Sequence, residues 1–417
     1  MATDTTGPPS VIRGATWAAF APALRSRNFR LFWTAQIIST VGTSLQVVAE
    51  GWLIYNLTGS TFWLGMVAFI ALLPVVPISF LGGVIIDRVP HRKLILATQC
   101  GLMAQATIFA LLAYSGQIRL WQVIVLYFIF GSLLAIDHPA RRAFLVDLVS
   151  RDELANAVAL NATIFNLSSL IGFAAAGLLI AAVGVSGTMT VNAATYLAPI
   201  LALAAIRVRD VRQDVKPQPV KAAVVEGVIT LWKQPKILAT VSLMAVIGGL
   251  AWPVFGMMPA FAEDVLQTNS IGLGLLLAAG AFGSLIGTVL VARVGMSRRG
   301  RTLTVVSFIL PLLIIGFALS DNMLQACLFL IALGVGLIVL QSLVITLVQV
   351  NISDRVRGRV MSLYSQVHAG SDTLSNVLIG WIAVSLGLPL ALSLGGLVAV
   401  IYALTLRFIM PSLRRLD

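Results

Sequence analysis

A chain of 417 residues that is 59% hydrophobic, only 11% charged and has a mean hydropathy of +0.97 lies far from the composition of a soluble domain and reads as an integral membrane protein. Its net charge of +12 is spread over short segments between apolar runs and forms no basic domain, so no nucleic acid is expected as a partner. Two cysteines, Cys100 and Cys327, both in or beside apolar runs, exclude a disulfide framework and a cysteine-based metal site.

Residues 1–28 are polar and contain Arg13, Arg25 and Arg27. The apolar run after them is too long for the core of a cleavable signal, so a cytoplasmic tail leading into a retained first helix is expected. Runs of the length a bilayer requires, about 20 residues, predict twelve transmembrane helices in an all-α protein. They lie near 30–56, 62–86, 93–114, 119–138, 157–183 and 187–206, then near 237–261, 270–294, 301–320, 323–348, 358–384 and 388–409. The polar stretch 207–236, with Arg207, Arg209, Arg212, Lys216, Lys221, Lys233 and Lys236, divides two six-helix bundles, 29–206 and 237–410, and residues 411–417 form a second cytoplasmic tail. Within the stretch Val224, Val225, Val228 and Leu231 share one helical face, which suits a short amphipathic helix lying on the membrane surface. On this division 27 of the 28 Lys and Arg residues fall at one membrane face, Arg119 being the exception. The bias of positive charge toward the cytoplasm then places both termini inside.

The halves repeat each other. Adding 209 to first-half numbers lays Leu57–Gly65 (LTGSTFWLG) over Leu266–Gly274 (LQTNSIGLG), and SRDELANA from Ser150 is echoed by SDRVRGRV from Ser353. Two parallel six-helix repeats match a transporter plan with the solute site near the midplane between them. Enzyme machinery is not visible. None of the five lysines follows a glycine, so no GxxxxGK phosphate loop exists, and neither a GxSxG elbow nor an HExxH pair occurs. No catalytic residue, cofactor or metal is expected, and a gradient would have to drive any solute.

The loop after the second run reads Gly82-Gly83-Val-Ile-Ile-Asp87-Arg88-Val-Pro90-His91-Arg92-Lys93. Gly83 permits close helix approach, and Asp87 sits four residues on, where a helix leaves the lipid. This loop resembles the signature G-x-x-x-D-R-x-G-R-R/K of the major facilitator superfamily, matching at Gly83, Asp87, Arg88 and Arg92, with Pro90 in place of the second glycine. Further stretches resemble one bacterial group, the enterobactin-type siderophore exporters and related drug-efflux carriers: Phe29-Arg30, Gln36, Ser39, Gly42-Thr43, Gln46, Ala49 and Trp52-Leu53; Asp137-x-Pro139-x-Arg141 with Phe144; Asn156 to Asn161 with Phe165-Asn166-Leu167; and Arg357 to Tyr364. The resemblance implies the twelve-helix major facilitator fold in a bacterial cytoplasmic membrane and export of a small molecule, whether siderophore, drug or metabolite, against protons. A monomer is expected. Gly172-Phe173-Ala-Ala-Ala-Gly177 and Ser169 depart from the group's fifth-helix pattern, which has a proline and often an arginine there, and Gly370–Ser375 lacks a proline often found in the group. Import or uniport on the same fold stays open at this point, as does a membrane receptor that transports nothing.

Ionisable residues inside apolar runs cost at least a few kcal/mol if they face lipid, so they mark candidate sites. His368 and Asp372 lie four apart in the eleventh run, with Ser365 and Ser375 on the same stripe, and suit a proton-coupling site or a hydrogen bond that fixes packing. In the first run Gln36, Ser39, Thr43, Gln46 and Glu50 recur at spacings of three and four. That polar face should line a wet cavity, which makes Glu50 a second proton-coupling candidate and Gln36, Thr43 and Gln46 candidates for solute contact. Trp252 and Met257, beside Pro253, Phe255 and Met258 in the seventh run, offer an adaptable apolar surface. Asp137, Arg141 and Arg142 at the expected end of the fourth span, with Gly83, Asp87, Arg88, Arg92, Arg357 and Arg359, compose a candidate cytoplasmic gate. Glu263 and Asp264 read as a solvated outer rim.

Overall fold

The computed structural model describes residues 22–75, 78, 89–206, 228–294 and 299–415. The first half holds α1 (Arg27–Thr58), α2 (Thr61–Leu72), α3 (His91–Tyr114), α4 (Leu120–Leu148), α5 (Leu154–Thr195) and α6 (Leu197–Ala205). The second holds α7 (Pro235–Leu243), α8 (Gly249–Gly256), α9 (Met258–Ala260), α10 (Ser270–Val294), α11 (Arg299–Ala318), α12 (Met323–Asn351), α13 (Asp354–Leu386) and α14 (Leu388–Ile409). Nine helical stretches among the described residues are long and apolar enough to cross a bilayer. Three facts complete the twelve spans: one of the nine, Leu154–Ala205, is two spans joined, α2 is the described part of the second, and the more polar α13 is the eleventh.

Local chemistry explains the breaks. Ser26 Oγ accepts the Phe29 N–H at 3.3 Å and starts α1, and Gly59 ends it in the left-handed region at φ 56°. Gly184, at φ 73° and ψ 178°, divides the fifth span from the sixth in a conformation that only glycine adopts without strain. The seventh span is built in pieces: π turns at Met244–Gly248 and Phe261–Val265 flank α8 and α9, and Pro253 deletes a backbone donor between them.

The fourth span differs from its expected end near residue 138, since α4 runs through Pro139 to Leu148. A proline inside a helix costs about 3 kcal/mol. Phe144, Leu145 and Leu148 are buried against Phe29, Phe32 and Ile95, and the van der Waals contact of that cluster holds the helix on through the proline. Packing wins, and Asp137 becomes a mid-helix residue. Of the expected surface helix in the linker, residues 228–233 are helical and 207–227 lie outside the described residues.

The halves meet along α2 with α13 and α5 with α10. Both crossings are made by small residues. A Cβ at Gly65 would stand 2.4 Å from the Asn376 carbonyl oxygen, and one at Gly274 would stand 2.8 Å from the Phe173 carbonyl oxygen. Beside each glycine contact a hydroxyl donates across the interface: Thr61 Oγ1 to the Gly380 carbonyl at 2.8 Å, and Ser270 Oγ to the Gly177 carbonyl at 3.2 Å. Thr61 and Ser270 are 209 residues apart, as are Gly65 and Gly274, so the two crossings are counterparts. Both lie toward the end of the bundle that carries Arg119 and is otherwise poor in arginine.

Gly65→Leu and Gly274→Leu should each lower stability by about 1–3 kcal/mol through overpacking, and Ser270→Ala by only about 0.6 kcal/mol. Thermal unfolding of purified protein in detergent measures this; equal shifts for the two kinds of substitution would show that close approach is not the constraint.

Candidate functional site

Between the halves, on the arginine-rich side of these crossings, lies a cavity of about 360 Å³. Its wall takes Gly51 and Ile54 from α1, Leu64 from α2, Tyr127 from α4, Phe165, Asn166 and Phe173 from α5, Trp252 and Phe255 from α8, Ser284 from α10 and Gln341 from α12. Val47 and Phe165 on the wall remain 47% and 66% exposed, so the space is open and not enclosed. At its sealed end the Tyr55 hydroxyl donates to Asp264 Oδ2 and ties the halves together there, while Glu263 and Asp264 both keep the exposure expected of an outer rim. Asn166 Nδ2 donates to Thr288 Oγ1 at 3.3 Å and bridges α5 and α10 again.

One cluster stands behind the first-half wall. Glu50 and Gln46 are fully buried, and Gln46 Nε2 donates to Glu50 Oε1 at 2.8 Å and to Gln105 Oε1 at 3.1 Å. Asn192 Nδ2 donates to Gln46 Oε1 at 2.5 Å, and the Tyr127 hydroxyl, from a residue on the cavity wall, is a further hydrogen-bond neighbour of Glu50. Among the described residues no Lys, Arg or His pairs with Glu50.

The second cluster stands behind the opposite wall. His368 Nδ1 lies 3.3 Å from Asp372 Oδ1, one turn apart on α13, and the side chains keep 15% and 22% exposure. Gln341 Nε2 is 3.4 Å from His368 Nε2, and the Trp252 ring lies 6.4 Å from the imidazole, centroid to centroid. Through these two wall residues the pair adjoins the cavity.

A third network is closed off from it. Asp137, fully buried, pairs with Arg141 one turn on in α4, and its Oδ1 accepts from Thr98 Oγ1 at 2.7 Å and Gln99 Nε2 at 2.9 Å. Arg141 also donates to Gln36 Oε1. Asp137, expected at the end of the fourth span as part of a cytoplasmic gate, is instead a buried mid-helix residue, because continuation of α4 past Pro139 carries it into the packing of α1, α3 and α4.

Other expected positions divide as follows. Trp252 is on the cavity wall, but Gln36, Thr43 and Gln46 are not; Gln36 and Gln46 serve the buried networks, and Thr43 Oγ1 donates to the Ser39 carbonyl at 3.0 Å. Met257 is fully buried near Gly380, because the break between α8 and α9 turns it away from the cavity. Arg92 donates from Nε to the Leu203 carbonyl at 2.7 Å and from Nη2 to the Ala204 carbonyl at 3.1 Å, closing the C-terminus of α6. Arg357 does the same for α12, at 2.9 Å from the Gln349 carbonyl and 3.3 Å from the Ile352 carbonyl, while pairing with Asp354. Arg142 is exposed and Arg359 partly so. Gly83, Asp87 and Arg88 lie outside the described residues.

The wall residues Tyr127, Phe165, Asn166, Phe173 and Gln341 were not expected as cavity residues. Gln341 left a signal, being the lone amide in the middle of the tenth run, where a lipid-facing position would be costly. Phe165 and Asn166 stood in a stretch that carried the resemblance. Tyr127 and Phe173 had no signal that sets them apart from ordinary packing aromatics.

Twelve spans in two counterpart halves around a central cavity define a major facilitator transporter. The chain belongs to that superfamily's family described as transmembrane secretion effector, whose model matches residues 17–417. It is 27% identical over 401 residues to the multidrug efflux pump Tap of Mycolicibacterium fortuitum, covering 92% of this chain and 95% of that one. It is 23% identical over 269 residues to the staphyloferrin A transporter of Staphylococcus aureus, covering 64% and 67%, and 20% identical over 398 residues to macrolide efflux protein A of Streptococcus pyogenes, covering 94% and 97%. Among solved structures a bacterial homologue of the human lysosomal transporter Spinster, inward-facing and unoccupied, superposes with TM-score 0.69 at 13% identity, covering 93% of this chain and 96% of that one. The protein is a membrane transporter and not an enzyme.

Removing one partner of a buried ion pair costs about 3–5 kcal/mol. Asp137→Ala and Arg141→Ala should each destabilise by that amount, and the double variant by clearly less than their sum; strictly additive effects in denaturant unfolding would exclude the pairing.

Proposed function

We propose that the chain works as a monomer in the cytoplasmic membrane, exporting a small organic molecule by alternating access in exchange for protons. The observation that carries this reading is a central cavity sealed toward one end with a carboxylic acid behind each wall, Glu50 on one side and the His368–Asp372 pair on the other. An ionised carboxylate strongly resists enclosure in a dry space without a partner. Among the described residues Glu50 has a hydrogen bond but no cation, so closing the cavity around it favours either a bound proton or a bound solute that supplies the missing charge. One site that takes a proton from one side and a solute from the other is the minimal coupling device for exchange.

The arginine-rich end is assigned to the cytoplasm by the charge bias of the loops, which leaves both tails inside and the cavity accessible from there. The two glycine crossings and the Tyr55–Asp264 contact are then the outer seal. In the opposite state the inner face closes instead, and Asp87 with Arg88, Arg142 and Arg359 supplies charge for that closure. Efflux as the direction is favoured by the similarity to the Tap pump and to macrolide efflux protein A.

Reconstituted into proteoliposomes with ethidium as reporter solute, the protein should drive uphill movement when a pH gradient is imposed. Glu50→Gln and Asp372→Asn should each reduce gradient-driven flux by about tenfold or more and leave solute–solute exchange in place, since the step removed is proton release. Full gradient-driven flux in both variants would sink proton exchange at these groups.

A further inference from the structure

Beside the central cavity, and touching it at Ala68, lies a second space of about 410 Å³ between α2, α4 and α13. Ala71, Leu72 and Val75 of α2 and Phe130 and Leu134 of α4 give it apolar walls, and Thr373 borders it from the other half. Ala135 and Pro139 carry the α4 wall further round the helix. They continue the stripe of Trp121 and Phe128, at spacings of seven, seven and four, and those two rings stand exposed on the bilayer side. The space therefore opens toward lipid. His138 is its ionisable wall residue, and Arg142 follows one turn on along α4; both are exposed. Neither forms a hydrogen bond or an ion pair among the described residues, and the acid beside them, Asp137, is buried and held by Arg141.

About 20 residues carry a helix across the hydrocarbon core. Counted from Leu120, where α4 begins beside Arg119, they end at Pro139. His138 then stands at the edge of the core and Arg142 at the depth of the headgroups, on the arginine-rich side. An arginine at that depth without a protein partner is costly unless an anion meets it. From this we infer that the space is a lipid site: one anionic phospholipid of that leaflet lays an acyl chain against Ala71, Leu72 and Phe130 and sets its phosphate between His138 and Arg142. Guanidinium and imidazole N–H groups make charge-assisted bonds to phosphate oxygens, and the guanidinium favours a headgroup that carries no ammonium of its own. The acyl chain is needed as much as the charge. Inside the space the Thr373 hydroxyl is already donated to the Ala369 carbonyl at 2.9 Å, so a small hydrophilic anion would find little there to replace its water. The site is separate from Glu50 and from the His368–Asp372 pair, and it holds whichever solute is carried.

The test titrates full-length protein, stripped of lipid in detergent, with dioleoylphosphatidylglycerol and dioleoylphosphatidylcholine, which share their chains and differ in charge. Native mass spectrometry follows the first lipid bound. Phosphatidylglycerol should bind about tenfold tighter than phosphatidylcholine. Arg142→Gln should remove most of that preference, His138→Gln part of it, and Arg142→Lys should keep it, with phosphatidylcholine binding unchanged throughout. Arg407→Gln, which deletes another exposed arginine at the same end of the bundle, should change nothing. Ala135→Trp fills the space and should abolish the tight site; if that variant melts early, Arg142→Gln decides alone. Equal affinity for the two lipids overturns the inference, as does equal loss in Arg407→Gln and Arg142→Gln, which would reduce the preference to general surface charge. So does a tight site that survives Ala135→Trp in a folded variant, or displacement of the lipid by an excess of glycerol phosphate, which would show that the chain is not held.

Discussion

Two helix crossings, each a glycine pressed onto a facing backbone with a hydroxyl donated to a carbonyl beside it, hold the halves of this protein together at one end. Inside a bilayer little hydrophobic force draws one helix to another, because lipid tails are as apolar as leucine. Association has to come from van der Waals contact at short range, which bulky side chains prevent. Gly65 and Gly274 supply that range, and Thr61 and Ser270 add direction. Where the crossings pinch the halves together the cavity ends; away from them larger residues keep the helices apart and the cavity exists. The site is in this sense what opens beyond the two crossings.

The buried charges follow one rule with one exception. Asp137 is answered by Arg141, Thr98 and Gln99, and Asp372 by His368. Arg92 and Arg357 are spent on the open carbonyls of helix ends, Arg92 tying α3 to the end of α6 and Arg357 fixing the turn from α12 into α13. Among the described residues Glu50 is held by an amide with a phenol beside it and no cation, and one of its oxygens lacks a hydrogen-bond partner. The repeat is broken at the same place. The residue 209 positions after Glu50 is Pro259, which lies on the cavity wall. Structure is conserved between the halves where they must fit each other, and lost where chemistry is done.

Much of the fold was legible in the sequence, because lipid imposes length and apolarity on every span, and the ends of α10 and α14 fall where the apolar runs end. The fourth span was misplaced since a proline signal is local, while the aromatic and leucine packing that overrides it is between helices distant in sequence. The polar face of α1 was visible as a pattern, but a pattern of amides does not say whether they meet water or one another. Gln36 and Gln46 meet other side chains. The reverse holds for the cavity wall, where Phe173 and Tyr127 are indistinguishable in the sequence from aromatics that only pack. His368 and Asp372 were recognisable as a pair through their spacing, and the structure adds Gln341 and Trp252 as their links to the cavity.

The contact between Tyr55 and Asp264 joins two positions that are themselves separated by 209 residues. A residue touches its own counterpart only where it lies on the axis relating the halves, so this pair marks that axis at the sealed end. Around it the two crossings are arranged as the matching lobes of an isologous interface, the arrangement by which two identical subunits bind each other face to face. The chain can be viewed as a dimer whose protomers have been joined by a linker: its rim has kept the self-complementarity of such a dimer, and its interior, freed from having to serve two identical partners, sets a different acidic group behind each wall, Glu50 on one side and the His368–Asp372 pair on the other.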